Sequence, residues 1–221
     1  MEAVAKKKKL KLALLKTEAA EFARRESRHA EPSLFGVTDG KAVGTYLEHK
    51  FRDHLSQRYT LIQGNSALGI DLPDLEVDIK VTSVRQPQSS CPFKSARQKI
   101  FGLGYSLLVF VYEKTDDTPA RTATLDIQHT VFVAAAATGD YTVTRRLREM
   151  VKDGANAEDL TAYILDRNLP VDEVGALALA HDVLASTPEQ GYLTISNALQ
   201  WRLQYGHAIR EAGGVPGVLK L

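Results

Sequence analysis

Asp71-Leu-Pro-Asp-Leu-Glu-Val-Asp78-Ile-Lys80-Val81 is the stretch that best indicates the fold of this chain. Its second half alternates apolar and polar residues, which is the period of a β-strand with one buried face. The apolar positions expected to face the core are Val77, Ile79 and Val81. Asp78 and Lys80 then share the opposite face of the strand.

The same stretch carries a second carboxylate. Pro73-Asp74 is a turn signal, and we expect two short strands around a tight turn that brings Asp71 beside Asp78. Two carboxylates can hold a hard cation such as Mg²⁺, which prefers oxygen ligands and keeps positions open for phosphate oxygens. Lys80 adds a point charge that can orient water or offset charge on a phosphate. The pattern indicates a metal-dependent nuclease.

The spacing Asp71-x₆-Asp78-x-Lys80 resembles the PD-(D/E)XK nuclease superfamily. The surrounding residues are particularly similar to the active-site stretch of the mismatch-repair nicking enzyme MutH and of related type II restriction endonucleases. The resemblance implies that Asp71 and Asp78 bind Mg²⁺, for which Mn²⁺ would substitute, and that Lys80 is the catalytic lysine. It also implies a restriction-endonuclease-like core from about Gly36 to Tyr112. MutH-like enzymes usually carry Glu where this chain has Asp78.

A helix is expected before this stretch, with Asp39 as its N-cap. Apolar residues recur along it every four positions and predict a buried stripe. They are Val43, Leu47, Phe51 and Leu55. Glu48 lies beside the stripe, and the resemblance makes it a candidate catalytic residue and additional metal ligand. The alternative is a surface ion pair between Glu48 and Arg52 at i,i+4, and spacing alone does not separate the two.

From Val81 to Tyr112 the chain contains no Asp or Glu. Cations there suit phosphates, and amides and guanidinium groups suit base edges, so the segment favours contact with double-stranded DNA. The predicted DNA-binding residues are Arg85, Gln86, Gln88, Lys94, Arg97, Gln98 and Lys99. A short helix is expected from Lys94 to Phe101. The alternative is an ordinary basic loop and helix.

The wider pattern predicts an α/β (α+β) fold, with a mixed central β-sheet flanked by helices and a C-terminal helical extension. In the core we expect a basic helix over Lys6 to Arg28 and strands over Tyr59 to Gln63, Ser106 to Tyr112 and Thr122 to Ala135. Later helices are expected over Thr144 to Lys152, Ala157 to Asn168, Val171 to Ala185 and Thr194 to Glu211. Residues 1–139 would form the nuclease core with its basic N-terminal helix, and residues 140–221 an extension for dimerisation or DNA contact.

Composition limits the alternatives. A chain of 221 residues with 44% hydrophobic and 25% charged residues can bury one good core with a small appendage. A single cysteine, Cys91, excludes a disulfide framework and a multi-cysteine zinc site, and fits the reducing cytoplasm of a prokaryotic cell. Long apolar runs and Gly-rich phosphate loops are both missing from the sequence, which predicts neither a membrane segment nor a nucleotide cofactor.

The favoured hypothesis is a Mg²⁺-dependent, site-specific endodeoxyribonuclease of type II restriction type. We expect it to hydrolyse phosphodiester bonds as a homodimer, because two active sites can then address both strands of a symmetric sequence. The alternatives are a non-catalytic DNA-binding or assembly protein on the same fold and a MutH-like repair nicking nuclease.

Overall fold

The computed structural model describes residues 7–62, 69–91, 95–196 and 201–221. Helices in these ranges are α1 (Leu12–Glu26), α2 (Gly40–Arg58), α3 (Arg97–Phe101), α4 (Tyr141–Lys152), α5 (Ala157–Asp166), α6 (Glu173–Ala185) and α7 (Gly206–Glu211). Strands are β1 (Lys8–Lys9), β2 (Ala30–Glu31), β3 (Tyr59–Thr60), β4 (Val77–Ser83), β5 (Gln88–Cys91), β6 (Ser106–Asp117), β7 (Thr122–Val133), β8 (Thr194–Ile195), β9 (Trp201–Gln204) and β10 (Val218–Lys220). The predicted α/β class is confirmed, with parallel pairing of β1 to β3 and antiparallel pairing of β2 to β7.

The chain packs as two compact units made of discontinuous stretches. Unit 1 contains the described residues up to Pro87, together with Leu107–Phe132 and Lys220–Leu221. Unit 2 contains Gln88–Ser106 and Val133–Leu219 as far as they are described. None of the described helices combines the length and the apolar character needed to cross a membrane.

Unit 1 is built on strands in the order β7-β6-β4. Residues 107–112 of β6 are all buried, which confirms the predicted central strand covered on both faces. Aromatic rings fill the space between this sheet and the helices: the Phe51 ring centroid lies 4.9 Å from that of Phe22 on α1 and 5.1 Å from that of Phe110 on β6. These contacts fix α2 against the sheet.

Helix α2 begins as the sequence predicts. Asp39 caps it by accepting a hydrogen bond from the Lys41 N–H at 3.0 Å. The predicted apolar stripe is fully buried, and it comprises Val43, Leu47, Phe51 and Leu55. Near the other end of α2, Glu18 on α1 accepts hydrogen bonds from His54 Nε2 at 2.6 Å and Arg58 Nη1 at 3.0 Å. The helix is therefore held by both apolar packing and a buried polar contact.

The stretch before β4 differs from the predicted pair of strands. Leu72 and Val77 form a single antiparallel bridge, closed by hydrogen bonds from Leu72 N to Val77 O at 3.0 Å and from Val77 N to Leu72 O at 3.2 Å. A 3₁₀ turn over Pro73–Leu75 separates them. Pro73 has no N–H to donate to a ladder, so the segment before the turn stays irregular. Asp71 is thus on a loop rather than a strand.

The predicted N-terminal helix is too long. Lys8 and Lys9 form β1, which pairs in parallel with Tyr59 and Thr60, and α1 begins only at Leu12. Pairing with β3 satisfies backbone groups that a helix would otherwise have to bond internally. Strand β3 in turn ends at Thr60, short of the predicted Gln63, which lies outside the described residues.

The predicted helix over Thr194 to Glu211 is also wrong. The described part of this segment contains β8, β9 and the short α7. Strand β9 lies between β5 and β8 and pairs antiparallel with both. The spacing of apolar residues in this segment suggests a helix, but Leu203 lies on a strand and is buried in unit 2.

Elsewhere in unit 2 helices form as expected. Helices α4, α5 and α6 lie within or next to their predicted ranges, and they bury a common apolar cluster that includes Leu147, Ile164 and Val183. The backbone passes close to itself at Gly139 and Gly191, where a Cβ on Gly191 would lie 2.2 Å from the Gly139 carbonyl oxygen. Only glycine fits there.

Candidate active site

Asp78 and Lys80 meet on β4. Because side chains alternate along a strand, these two residues project to the same face, and Lys80 Nζ lies 2.7 Å from Asp78 Oδ2. The predicted face is therefore present, and on it Asp78 is buried, with 3% of the residue exposed. Among the described residues, Asp78 Oδ2 has no aligned hydrogen-bond donor, so the Lys80 contact is an ion pair without hydrogen-bond geometry.

Asp71 reaches the site through a backbone contact. Its Oδ2 atom accepts a hydrogen bond from the Ile79 N–H at 2.9 Å, across the turn that joins the loop to β4. This bond positions the carboxylate beside the Asp78 carboxyl, with which it also interacts. Oδ2 of Asp71 is thus used for positioning, and Oδ1 lies 3.7 Å from Arg52 Nη1.

Glu48 comes from α2, beside the buried stripe. Its carboxyl contacts that of Asp71, so α2 and the loop before β4 bring their acidic side chains together. The helix approaches β4 closely at Gly44, one turn before Glu48. Among the described residues no three acidic, His or Cys side chains converge as a preformed metal cage. The three candidate carboxylates are instead linked pairwise through Asp71.

Arg52 is a site residue that the sequence did not single out. Its Nη1 atom lies 3.6 Å from Glu48 Oε1 and 3.7 Å from Asp71 Oδ1. The ion pair between Glu48 and Arg52 is therefore present, and it coexists with the contact between Glu48 and Asp71. The i,i+4 spacing was the available signal for Arg52, but its contact with Asp71 depends on how the loop folds back.

Burial dominates the electrostatics of the site. Desolvation raises the pKa of Glu48 to about 7, and the neighbouring Asp71 carboxylate adds to the shift while Lys80 and Arg52 oppose it. Desolvation likewise raises the pKa of Asp78 to about 7 against the opposing charge of Lys80. Both carboxyls are thus poised to exchange protons near neutral pH.

Two neighbouring acidic residues do not join the site. Asp74 Oδ2 lies 3.6 Å from Nζ of Lys9 on β1. Glu76 follows the turn in a left-handed backbone conformation, with φ of 51°. Asp74 thus pairs with a lysine outside the site, and Glu76 occupies a turn position.

The predicted DNA-binding residues are divided between the units. In unit 1, Arg85 and Gln86 are exposed after β4. In unit 2, Gln88 is half-buried on β5. Arg97 forms an ion pair with Asp182, and its Cζ atom lies 4.4 Å from the centroid of the Phe101 ring. Gln98 donates from Nε2 to Leu103 O at 3.1 Å, and its Oε1 has no partner among the described residues. Lys94 lies outside the described residues.

Lys99 does not fit the predicted phosphate contact. Its side chain is buried, with 4% of the residue exposed, and burial lowers the pKa of its ammonium group while the nearby Asp140 opposes the shift. Both residues belong to unit 2. The helical register of α3 places Lys99 inward and Arg97 outward, and a sequence of five helical residues is too short to predict that register.

The comparisons with known proteins agree with a nuclease site. The family model of type II restriction enzyme NspV matches residues 9–220, and the chain belongs to this family. It is 60% identical over 210 residues to the type II restriction enzyme NspV of Nostoc sp. (strain ATCC 29411 / PCC 7524), covering 95% of this chain and 96% of that relative. No solved structure matches the chain.

Proposed function

We propose that this protein is a Mg²⁺-dependent, site-specific endodeoxyribonuclease of type II restriction class that hydrolyses phosphodiester bonds in double-stranded DNA. Its membership of a type II restriction enzyme family supports the restriction-endonuclease activity. The observation that supports the chemistry is the Asp78–Lys80 pair on β4 with the Asp71 carboxylate bonded beside it. This arrangement favours assignment to the PD-(D/E)XK type.

The residues present suit a hard divalent cation. Asp78 has a buried oxygen without an aligned donor, and its carboxyl interacts with that of Asp71. Glu48 would complete an all-oxygen ligand set of the kind that Mg²⁺ and Mn²⁺ prefer. When bound, such a cation polarises a phosphate oxygen and makes a coordinated water more acidic.

Lys80 acts on the reacting phosphate in this proposal. The Asp78 carboxylate, with Oδ2 2.7 Å from Lys80 Nζ, holds this ammonium group at the site by ion pairing. A fixed ammonium can donate hydrogen bonds to water or to a phosphate oxygen, and it offsets the negative charge that grows there during hydrolysis. Asp71 remains fixed through Ile79 N, so this carboxylate needs little reorganisation when substrate arrives.

The decisive test compares matched variants on plasmid and phage DNA with Mg²⁺. Asp78→Asn and Lys80→Ala should each lower cleavage by roughly a hundredfold or more, because each removes charge at the reacting phosphate. Asp74→Asn is the control: it changes the same chemical group on the adjacent turn, where the carboxylate contacts Lys9. We expect this variant to cut normally. Near wild-type cutting by Asp78→Asn would overturn the assignment.

The metal requirement is tested separately. EDTA should stop cleavage, and Mg²⁺ or Mn²⁺ should restore it. Ca²⁺ should support DNA binding without turnover, since its looser coordination positions water poorly. DNA binding without cleavage under every metal condition would instead favour a non-catalytic DNA-binding protein, and nicked products alone would favour a nicking enzyme.

A further inference from the structure

Arg52 faces one oxygen of each of two carboxylates that would share the proposed cation, Glu48 and Asp71. Asp71 Oδ2 accepts a hydrogen bond from the Ile79 N–H, and Oδ1, the oxygen without that bond, lies 3.7 Å from Arg52 Nη1. On Glu48 the atom facing Arg52 is Oε1. A guanidinium and a divalent cation cannot occupy one position between these oxygens.

The Arg52 contacts are suited to being broken. At 3.6 Å and 3.7 Å both are ion pairs longer than ordinary charge-assisted hydrogen bonds. The Arg52 side chain is 20% exposed, so a route to solvent is open. Among the described residues its only ion pairs are these two, and no other acidic group holds it in place.

The negative charge of the carboxyls explains why a positively charged side chain such as Arg52 stabilises the site when no metal is bound. The Asp71 carboxyl interacts with those of Glu48 and Asp78 in a partly buried place, and Lys80 Nζ lies 2.7 Å from the Asp78 carboxyl. Neighbouring like charges repel more strongly where burial reduces their contact with water. Arg52 offsets the charge of the other two without adding a metal.

We propose that Arg52 occupies the metal-facing oxygens of Glu48 and Asp71 in the metal-free protein and is displaced when a divalent cation binds there. This inference rests on the proposed function, because it takes the same carboxylates as metal ligands. Arg52 is then a positioning residue that keeps the site assembled before the cation arrives. It also lowers metal affinity, since the cation must compete with it.

The test measures Mn²⁺ binding to the DNA-free protein by calorimetry, with free Mn²⁺ counted by electron paramagnetic resonance. Arg52→Gln should bind Mn²⁺ roughly tenfold more tightly, which corresponds to about 1.4 kcal/mol of lost competition. Arg52→Lys keeps the charge and should stay close to wild type. Arg52→Met keeps most of the apolar stem and should match Arg52→Gln, so it serves if the glutamine variant folds poorly.

Arg58→Gln is the matched control. It removes one positive charge from the same helix, but Arg58 pairs with Glu18 and Glu21 rather than with the site carboxylates. Its Mn²⁺ affinity should be unchanged. A second readout is the melting temperature: Arg52→Gln should melt below wild type in EDTA and gain more than wild type on adding Mn²⁺.

Asp78→Asn separates failure of this inference from failure of the proposed function. If Asp78→Asn binds Mn²⁺ like wild type, the proposed metal site itself is wrong. If Asp78→Asn weakens binding while Arg52→Gln and Arg52→Met leave it unchanged or weaker, the site stands and only the competing role of Arg52 is overturned. Tighter binding by both Arg52 variants, with Arg58→Gln unchanged, supports the inference.

Discussion

At the scale of single residues, the candidate site is organised by how each carboxylate uses its two oxygens. Asp71 bonds the backbone of β4 with one oxygen and faces Arg52 with the other. Asp78 keeps an oxygen against Lys80 without an aligned donor. A buried acceptor without a good donor is costly unless a cation arrives or a proton is taken up. Desolvation by burial is the largest cause of the raised pKa values of Glu48 and Asp78, both about 7.

The raised pKa values predict how the stability of the metal-free protein depends on pH. The folded-state pKa of Asp78, about 7, exceeds its ordinary value of 3.8, so the folded chain binds more protons than the unfolded chain between these values. The preferential binding of this proton by the folded chain therefore adds fully to the free energy of unfolding below about pH 4, and this added stability is lost as the pH rises through 7. Urea unfolding in EDTA from pH 5 to 8 should show wild type losing more stability than Asp78→Asn.

The difference between the two curves isolates Asp78 from other titrating groups, such as Glu31, whose pKa is lowered to about 2. Parallel curves for wild type and Asp78→Asn would contradict the raised pKa.

A contact in the site could be predicted from the sequence when its two residues are only a few positions apart along the chain. Asp78 and Lys80 are two residues apart on a strand, so alternation alone places them together. The Glu48–Arg52 pair follows from helical spacing in the same way. The contacts of Asp71 with Ile79 N, Glu48 and Arg52 depend on a loop conformation, and no periodicity encodes a loop. The sequence does not predict that Asp78 is buried, because a charged residue on the polar face of an alternating strand usually faces solvent.

At the scale of elements, the site depends on how closely α2 approaches β4. A Cβ on Gly44 would lie 3.8 Å from Val81 O and 3.9 Å from Val81 Cβ, which is ordinary van der Waals contact. The spacing therefore accommodates a methyl group and little more. Glu48 lies one helical turn further along α2, so its distance from the Asp71 carboxyl follows the separation of helix and strand.

This spacing predicts opposite effects for two substitutions at Gly44. Gly44→Ala should stabilise the protein by about 0.5 to 1 kcal/mol, because alanine favours a helix interior and its methyl group fits. Gly44→Leu should push α2 away from β4 and reduce both stability and cleavage. Urea unfolding and plasmid cleavage measure the two effects. A destabilised Gly44→Ala variant would mean that α2 packs more tightly against β4 than these two distances indicate.

Elements held by distant partners were harder to predict than helices with their own apolar face. Helices α4 to α6 formed as expected since their stripes meet in one cluster. Residues of β9 form a strand because β5 and β8 lie on either side of it, and these partners are far away in sequence. Tertiary pairing overrides a weak helical pattern in such a segment.

Asp140 is one such long-range connection in unit 2. It caps α4 by accepting hydrogen bonds from Thr142 N and Val143 N, both at 3.0 Å, and its second oxygen accepts from Ile195 N on β8 at 2.8 Å. Asp140→Ala should lower the free energy of unfolding by about 2 to 4 kcal/mol, because it removes a helix cap and leaves a buried donor unpaired. Urea unfolding measures this change.

Asp140→Asn is the matched variant. An amide offers one acceptor oxygen, so it can satisfy α4 or β8 but not both, and its cost should fall between wild type and Asp140→Ala. Equal stability of all three proteins would show that Asp140 does not connect the two elements.

At the scale of the whole molecule, the two compact units interleave along the chain. The residues of the candidate site, from Glu48 to Lys80, all belong to unit 1. The predicted boundary after residue 139 lies a few residues beyond Val133, where the chain enters unit 2 for its longest stretch. Composition along the sequence cannot reveal that Gln88–Ser106 also belongs to unit 2, because that stretch joins its unit through contacts with residues far along the chain.

Cleavage of both DNA strands depends on how many active sites, and therefore how many protein chains, act on one duplex. Within the described residues each chain presents one set of Asp71, Asp78 and Lys80, which suits one phosphodiester bond at a time. The two strands of DNA are antiparallel, so two copies related by a two-fold axis present equivalent sites to both strands. A homodimer is therefore the assembly we propose.

Mixed dimers test this proposal directly. Differently tagged wild-type and Asp78→Asn chains are coexpressed, and the heterodimer is purified through both tags and incubated with a supercoiled plasmid that carries one cleavage site. Wild-type homodimer should give linear product and Asp78→Asn homodimer should leave the plasmid uncut. The heterodimer should accumulate nicked circles, because only one of its two sites can hydrolyse a strand. Linearisation by the heterodimer at the wild-type rate, or a sedimentation coefficient of a single chain at every concentration with DNA, would contradict a dimer with one active site per strand.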